Sequence, residues 1–290
     1  MQLLIDILFT LLLYLNITYS FSMCYRVVRF FHMAHAISLT FAAYFMYTVC
    51  TIMAMPLWVS IFISVSIVVL LLLVINKLIY IPETKKELEG WQLMIVSLGI
   101  YIVLQNLISL IWSDSTLSFR SWSVETGHPL LNGVITDIQI ITIVFSTFLL
   151  FVIWMLLEKT TIGMGIKAVA SNPSLSSIFG VRKETVTAFS MGIGSALMAC
   201  VGIMIAADID MTPTMGFDWL MYGVVAMIIG GMGKMRYMVL GALLLATAQQ
   251  LSAYFLDSKW MNATAYIILV IFLYFRPFGF SGKKLKKTEV

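Results

Sequence analysis

Residues 57–80 read LWVSIFISVSIVVLLLLVINKLIY, and the only charged side chain in this run belongs to Lys77. An α-helix rises about 1.5 Å per residue, so roughly 20 apolar residues cross the ~30 Å hydrocarbon core of a bilayer. The run is continuous and lacks the strict alternation that is typical of a half-buried strand. It therefore predicts a membrane-spanning helix.

The rest of the chain has the same character. Of its 290 residues, 61% are hydrophobic and 11% are charged. Soluble domains average about 45–50% hydrophobic and about 25% charged residues. The composition predicts an all-α integral membrane protein, with residues 1–290 forming a single transmembrane domain of about nine spans (8–10). The candidate spans are 2–24, 36–54, 57–80, 92–112, 138–157, 184–207, 219–233, 237–256 and 260–276. The seventh is short and ends in glycines, a pattern typical of a broken or re-entrant helix.

Basic residues predict the orientation of these spans, because cytoplasmic connections carry an excess of lysine and arginine. If the connection at 158–183 is cytoplasmic, alternation places 81–91, 234–236 and the basic tail 277–290 on the same side. The opposite side then holds only Arg120 and Lys259 as cations. The C-terminus is therefore expected inside and the N-terminus outside. The tail's KKLKK motif fits either a positive-inside flank or contact with anionic lipid, and nothing in the sequence calls for nucleic acid.

The sequence predicts no catalytic residue and no metal site. The glycine-rich stretch 230–235 lacks the upstream glycine and the hydroxyl of a phosphate-binding loop, since Met235 stands in the hydroxyl's place. His32 and His35 are three residues apart, but no third ligand or acidic residue lies near them in sequence. A membrane enzyme using these two histidines and His128 is therefore disfavoured.

The spans contain almost no embedded acid or base. Ion-coupled carriers that act alone usually need such a group, so this alternative is disfavoured. A non-transporting scaffold subunit remains a further alternative. The 113–137 connection is long and contains aromatic residues. It fits either an interfacial segment or a docking surface for an external partner.

The connection at 158–183 is the most informative stretch outside the spans. It predicts a short amphipathic helix, a break at Asn172-Pro173, and a second short helix that Gly180 ends. Asn172 or Ser174 is suited to cap the second helix. By composition alone the segment fits equally well a docking element for a soluble partner and an ordinary connection between helices.

The order of residues in this connection resembles the coupling loop of ABC importer permeases of the branched-chain amino acid type. The shared pattern is G-x3-K-A-x-A-x-N-x3-[AS]-x3-G-V, in which Ser176 stands where alanine is common. In that family this loop contacts the ATPase subunit. The resemblance implies the same role for Gly163, Lys167, Ala168, Ala170, Asn172, Pro173, Ser176, Gly180 and Val181.

Four further motifs occur in the family's order. Residues 31–36 resemble an N-F-A-H-G segment, 104–106 an L-Q-N signature, 230–233 a G-G-x-G run and 276–279 an R-P-x-G ending. The chain departs from the pattern at His32 (usually asparagine), Ala36 (usually glycine), Ile37 (often an acid) and Lys234 (commonly serine).

The resemblance implies a transmembrane permease subunit of an ATP-driven importer in a bacterial inner membrane. Such a subunit forms half of a pathway for a small neutral or zwitterionic solute. Branched-chain amino acids are favoured, with other amino acids, amides or urea as alternatives. The implied partners are ATPase subunits that bind ATP and Mg²⁺, a second permease of the same or a different sequence, an external binding protein, and membrane lipid. No cofactor is expected in this chain.

Polar residues inside apolar spans are candidates for the solute pathway. Gln105 and Asn106 lie in the middle of a span, and their amides suit either the pathway or hydrogen bonding between helices. The candidate set is His32, His35, Gln105, Asn106, Gly230, Gly231 and Gly233.

Overall fold

The computed structural model describes residues 1–85, 88–120, 127–130, 133–231 and 235–281. Its helices are α1 Gln2–Val28, α2 Ala36–Tyr47, α3 Leu57–Ile75, α4 Ile81–Lys85, α5 Gly90–Trp112, α6 Asp137–Lys159, α7 Thr161–Ser171, α8 Pro173–Ile178, α9 Lys183–Ile209, α10 Met215–Gly230, α11 Met238–Phe255 and α12 Met261–Phe275. Short 3-10 turns cover Met33–His35, Met235–Tyr237 and Ser258–Trp260, and π-helical turns cover Thr48–Ile52 and Asn76–Tyr80. Two short strands are β1 His128–Leu130 and β2 Gly133–Ile135.

Apolar helices dominate the described residues. Eight helical segments are long and apolar enough to cross a membrane, and α10 is a shorter apolar helix. The prediction of an all-α membrane fold with about nine segments is confirmed. The seventh predicted span, which is short in the sequence, corresponds to the shorter helix α10. The β1–β2 ribbon was not predicted. It is antiparallel, with His128 opposite Ile135, and its strands are too short for a periodic signal.

The chain divides into two compact units. The first comprises Met1–Ser22, Ser123–Leu150 and Trp219–Val290. In its core the Tyr14 hydroxyl donates a hydrogen bond to Oε1 of Gln249 (2.5 Å), and Nε2 of Gln249 donates to the carbonyl of Met261 (3.0 Å). These bonds satisfy buried polar groups that would otherwise cost about 1–3 kcal/mol each.

The second unit comprises Met23–Trp122 and Phe151–Asp218. Helices α2 and α9 approach so closely that a Cβ at Gly202 would overlap the backbone of Leu39. Nearer the N-terminus of α9, the Ser190 hydroxyl donates a hydrogen bond to the carbonyl of Met23 (2.8 Å). Small and hydroxyl side chains are typical of tight helix packing in membranes, where they allow backbone contact and cross-helix hydrogen bonds.

A polar strap in the second unit joins the 117–120 segment to the turn after α9. Leu117 and Met211 exchange two backbone hydrogen bonds (3.1 and 2.9 Å). Arg120 donates to Oδ1 of Asp210 (2.5 Å) and to the carbonyl of Asp208 (3.1 Å). Burial alone would raise the pKa of Asp210. Hydrogen bonds from Ser118 and Arg120, together with the charge of Arg120, outweigh burial and lower the pKa below 3.8.

The strap predicts an acid-dependent loss of stability. A carboxylate whose pKa is lower in the folded state stabilises the fold above its unfolded pKa, and that contribution disappears as the pH falls through the folded value. An Arg120→Gln variant should therefore melt below the wild type at pH 7, and the difference should shrink as the pH falls below about 3.8. Thermal unfolding of the purified protein between pH 7 and pH 3 measures this, with Lys259→Gln as a charge-matched control. A difference that is independent of pH would contradict the role of the ion pair.

Candidate functional site

The first half of the 158–183 connection is helix α7, which is held against the end of α6. The Thr160 hydroxyl accepts a hydrogen bond from the amide of Gly163 (3.1 Å) and so caps α7. A Cβ at Gly163 would overlap the backbone of residues 156–157. Lys167 Nζ lies 2.6 Å from Oε1 of Glu158. Glycine is therefore required where α7 folds back on α6, and Lys167 reinforces the same corner.

The second half is helix α8, which the Asn172-Pro173 pair begins. Asn172 has an extended backbone, and its Oδ1 accepts a hydrogen bond from the amide of Leu175 (3.0 Å). Pro173 occupies the first turn, where its missing N–H costs nothing. The carbonyl of Asn172 accepts from the Ser176 hydroxyl (2.7 Å). The predicted break and the predicted cap by Asn172 are both present.

Gly180 ends α8 in the left-handed region. Its φ is +80°, and a Cβ there would meet no atom within 4 Å. Conformation, rather than space, therefore explains the glycine. The amides of Gly180 and Val181 donate to the carbonyls of Ser177 and Ser176 (both 3.0 Å), which closes the helix end and turns the chain into α9.

A groove of about 610 Å³ lies along this loop. Its walls come from α7, the turn after α8 and the first turns of α9. It includes three of the residues that the resemblance singles out, namely Ala168, Gly180 and Val181. The lining residues are Thr161, Ile162, Met164, Gly165, Ala168, Gly180, Val181, Arg182, Thr185, Val186 and Phe189.

The end of α8 carries exposed apolar side chains that the motif did not single out. Ile178 is 79% exposed, Phe179 is 77% exposed and Leu175 is 50% exposed. By contrast, Ala170 and Ser176 are buried and hold the loop together. Adjacent exposed apolar side chains beside a groove are typical of a surface that a partner covers. We call Leu175, Ile178 and Phe179 the apolar tip.

Asn172 offers a test of the loop's rigidity. Asn172→Ala removes the cap of α8, which typically costs about 0.5–2 kcal/mol, whereas Asn172→Asp retains a capping oxygen. If this loop contacts an ATPase subunit, as the resemblance implies, we expect the alanine variant to accumulate normally in membranes and to lose stimulated ATP hydrolysis in the assembled transporter. The aspartate variant should keep most of it. ATPase assays on the two purified complexes provide the measurement. Equal rates in both would show that the cap has no part in function.

His32 and His35 lie together in the turn between α1 and α2. Both are fully buried, and their ring centroids are 5.9 Å apart. Neither ring nitrogen of His32 has a hydrogen-bond partner among the described residues. Burial, and secondarily His35, lower the pKa of His32 to about 3, so its ring is neutral at pH 7. No group of three metal-ligating side chains occurs in the part of the chain that the structure describes.

Gln105 and Asn106 lie on an outward face of α5. Asn106 is exposed, and its amide donates to the carbonyl of Ile102 (2.7 Å) and to Oε1 of Gln105 (3.3 Å). Gln105 donates to the hydroxyl of Ser109 (3.4 Å). These hydrogen bonds of both amides stay within α5. We call Gln105, Asn106 and Ser109 the amide patch.

Gly230 and Gly231 lie where the backbone passes very close to other segments of the chain. Gly231 has φ +91°, and a Cβ there would lie 2.5 Å from the Ser281 hydroxyl and 2.9 Å from the carbonyl of Phe278. Gly279 has φ +63°, and its Cβ would lie 2.6 Å from the amide of Gly231. The G-G and R-P-F-G motifs thus meet within the first unit. Gly233, the third glycine of the candidate set, lies outside the described residues.

Arg29 was missed by the sequence reasoning. Its guanidinium donates to the carbonyl of Ala170 in α7. No local pattern connects positions so far apart along the chain. The only signal was that Arg29 follows the first span at its basic end, where the positive-inside rule expects a cation.

The apolar spans define a multi-pass membrane protein. The profile of the family "Branched-chain amino acid transport system / permease component" matches residues 3–275. The chain belongs to this family, as the motifs predicted.

Two relatives support this assignment, and one solved structure shares the fold. BraD, a high-affinity branched-chain amino acid transport system permease protein of Pseudomonas aeruginosa, is 24% identical over 93% of this chain and 92% of BraD. LivH of Escherichia coli K12, a permease protein of the same description, is 24% identical over 66% of this chain and 63% of LivH. PsaBC from Streptococcus pneumoniae in complex with Fab covers 96% of this chain and 93% of that chain, with a TM-score of 0.53 and 13% identity. This structural likeness shows the fold alone.

Proposed function

We propose that this chain is the permease subunit of an ATP-driven importer in a bacterial inner membrane, and that residues 158–183 couple it to separate ATPase subunits. The observation that carries the proposal is the apolar tip beside the groove. Ile178 and Phe179 are each more than three-quarters exposed on a short helix whose two ends are fixed by Asn172 and Gly180. A rigid apolar projection suits insertion into a partner's groove, because little conformational entropy is lost on binding.

The proposed orientation places 158–183 and the tail 277–290 in the cytoplasm and the N-terminus outside. Contacts within the second unit agree with it. Arg29, which follows the first span, contacts α7, and Gly90, which begins α5, packs beside the carbonyl of Arg29. All three segments fall on the cytoplasmic side when the spans alternate. The 113–137 connection would then face an external binding protein.

The proposed partners include a second permease, identical or different. The amide patch supports this. Exposed amides on an apolar helix cost free energy in lipid, and a partner helix or a water-filled pathway would remove that cost. The ATP and Mg²⁺ that drive transport would be bound by the ATPase subunits.

The proposed solute is a branched-chain amino acid. The names of the relatives BraD and LivH describe them as permease proteins of branched-chain amino acid transport systems. The shortage of embedded ionisable groups is consistent with a neutral or zwitterionic solute. Other amino acids, amides and urea are the alternatives.

Reconstitution tests this function. The chain is co-expressed with its ATPase subunits, second permease and binding protein, and uptake of leucine, isoleucine, valine, other amino acids, amides and urea is measured in proteoliposomes. We expect ATP-dependent leucine uptake that disappears when the phosphate-binding lysine of the ATPase is replaced. Uptake by this chain alone, driven by a proton or sodium gradient, would establish a carrier instead. A complex that transports none of the panel would favour a scaffold subunit.

A further inference from the structure

Arg29 occupies a strained turn between α1 and α2. Its φ is +65°, a left-handed conformation that is uncommon for a residue with a side chain. Its amide donates to the carbonyl of Tyr25 (2.8 Å), which closes the end of α1. A Cβ at Gly90 would lie 3.5 Å from the Arg29 carbonyl oxygen, so the start of α5 packs against the same turn. Such strain persists only where surrounding contacts hold it in place.

The guanidinium of Arg29 satisfies a carbonyl that the helix α7 leaves open. Nη2 of Arg29 donates to the carbonyl of Ala170, in the last turn of α7. In a continuing helix this carbonyl would accept from Ser174, but the chain becomes extended at Asn172 and begins α8 with Pro173. Ala170 is 8% exposed, so water has little access. A cation at a helix C-terminus also interacts favourably with the helix dipole.

The bond from Arg29 joins the coupling loop to the candidate pathway. His32 follows three residues later, and His35 follows within the 3-10 turn Met33–His35. The amide of Ala34 in that turn donates to the Ser97 hydroxyl of α5 (2.8 Å). A shift of α7 therefore reaches the histidine turn through one side chain, without passing along α6 or α9.

We propose that Arg29 is a positioning residue that transmits movement of the coupling loop to the turn that carries His32 and His35. The proposal rests on the proposed function of residues 158–183 and adds a specific route to it. Nε of Arg29 is buried and has no partner among the described residues. The side-chain hydrogen bond from Arg29 to Ala170 joins the two elements, and its loss would separate them.

The left-handed backbone makes a clean test possible. Arg29→Gly removes the guanidinium and also relieves the backbone strain, so the fold should be kept. Arg29→Lys keeps a cationic donor. Lys77→Gln is the control, because Lys77 is an exposed cation near the same predicted membrane side. Each variant is reconstituted in the full transporter. Binding of the ATPase subunits, ATP hydrolysis, and leucine transported per ATP are measured.

We expect Arg29→Gly to bind the ATPase subunits with wild-type affinity and to transport about tenfold less leucine per ATP, the loss expected for one charge-assisted hydrogen bond. Arg29→Lys should recover to within about threefold of the wild type, and Lys77→Gln should match the wild type. An Arg29→Gly complex that transports as much leucine per ATP as the wild type would overturn the proposal. So would weakened ATPase binding, because Arg29 would then shape the docking surface instead. If the wild-type chain itself binds no ATPase subunit, the proposed function fails, which is a separate outcome.

Discussion

Replacing Ile178 and Phe179 together by glutamate is expected to weaken binding of the proposed ATPase subunit strongly while the permease still folds. Both side chains are largely exposed in the isolated chain (79% and 77%), so the substitutions remove no internal packing. In a complex, burying each apolar side chain contributes about 1.5–3 kcal/mol, and burying an unpaired carboxylate costs more. Because about 1.4 kcal/mol corresponds to a factor of ten, the dissociation constant should rise by about 100-fold or more.

The binding experiment uses purified permease in nanodiscs titrated with its ATPase subunit. The matched control is Ile178→Leu with Phe179→Leu, which keeps an apolar surface of similar size and should bind within about threefold of the wild type. Thermal unfolding of the glutamate variant checks that the permease is intact. Wild-type affinity in that variant would exclude the apolar tip as the docking element.

Gly231→Ala is expected to destabilise the first unit strongly. The added Cβ meets the Ser281 hydroxyl and the Phe278 carbonyl at 2.5 and 2.9 Å, in a backbone with φ +91°. Left-handed strain costs about 1–2 kcal/mol, and overpacking adds about 1–3 kcal/mol. For a chain of this size the unfolding midpoint should fall by about 4–10 °C.

Thermal unfolding in detergent at a fixed scan rate measures this effect. Gly99→Ala is the control, because a Cβ at that helical position meets nothing within 4 Å and alanine favours helix. Its midpoint should equal or exceed that of the wild type. An unchanged midpoint for Gly231→Ala would mean that the contact with 278–281 does not stabilise the fold.

The sequence predicted those features that depend on local chemistry. Continuous apolar runs located the spans, because lipid requires such runs in each helix separately. The Asn172-Pro173 break and the end of α8 at Gly180 were also predictable, since caps and left-handed turns have residue signatures of their own. The motif identified Gly163, whose need for a glycine the structure explains by its contact with residues 156–157.

Features that depend on distant pairs were not predictable. The Tyr14–Gln249 hydrogen bond and the Arg29–Ala170 contact join residues 235 and 141 positions apart. A single sequence carries no record of such pairs. Gln105 and Asn106 illustrate the same limit. Their chemistry allowed either a pathway or cross-helix bonding, and their hydrogen bonds within α5 leave the outward face for a partner or solute.

Gly231 and Gly279 belong to two motifs that lie far apart in the sequence, and their backbones are in contact. Substitutions in either motif therefore act on the same contact. A Cβ at Gly279 would overlap the backbone of Gly231, and a Cβ at Gly231 would overlap residues 278 and 281, so a side chain at either position disrupts the same contact. Once either is replaced, the interlocked backbone is already displaced, and replacing the second should add little. The two positions are therefore expected to show strong epistasis, with the double variant little less stable than either single variant. A lineage that loses one glycine would have little selection left to keep the other.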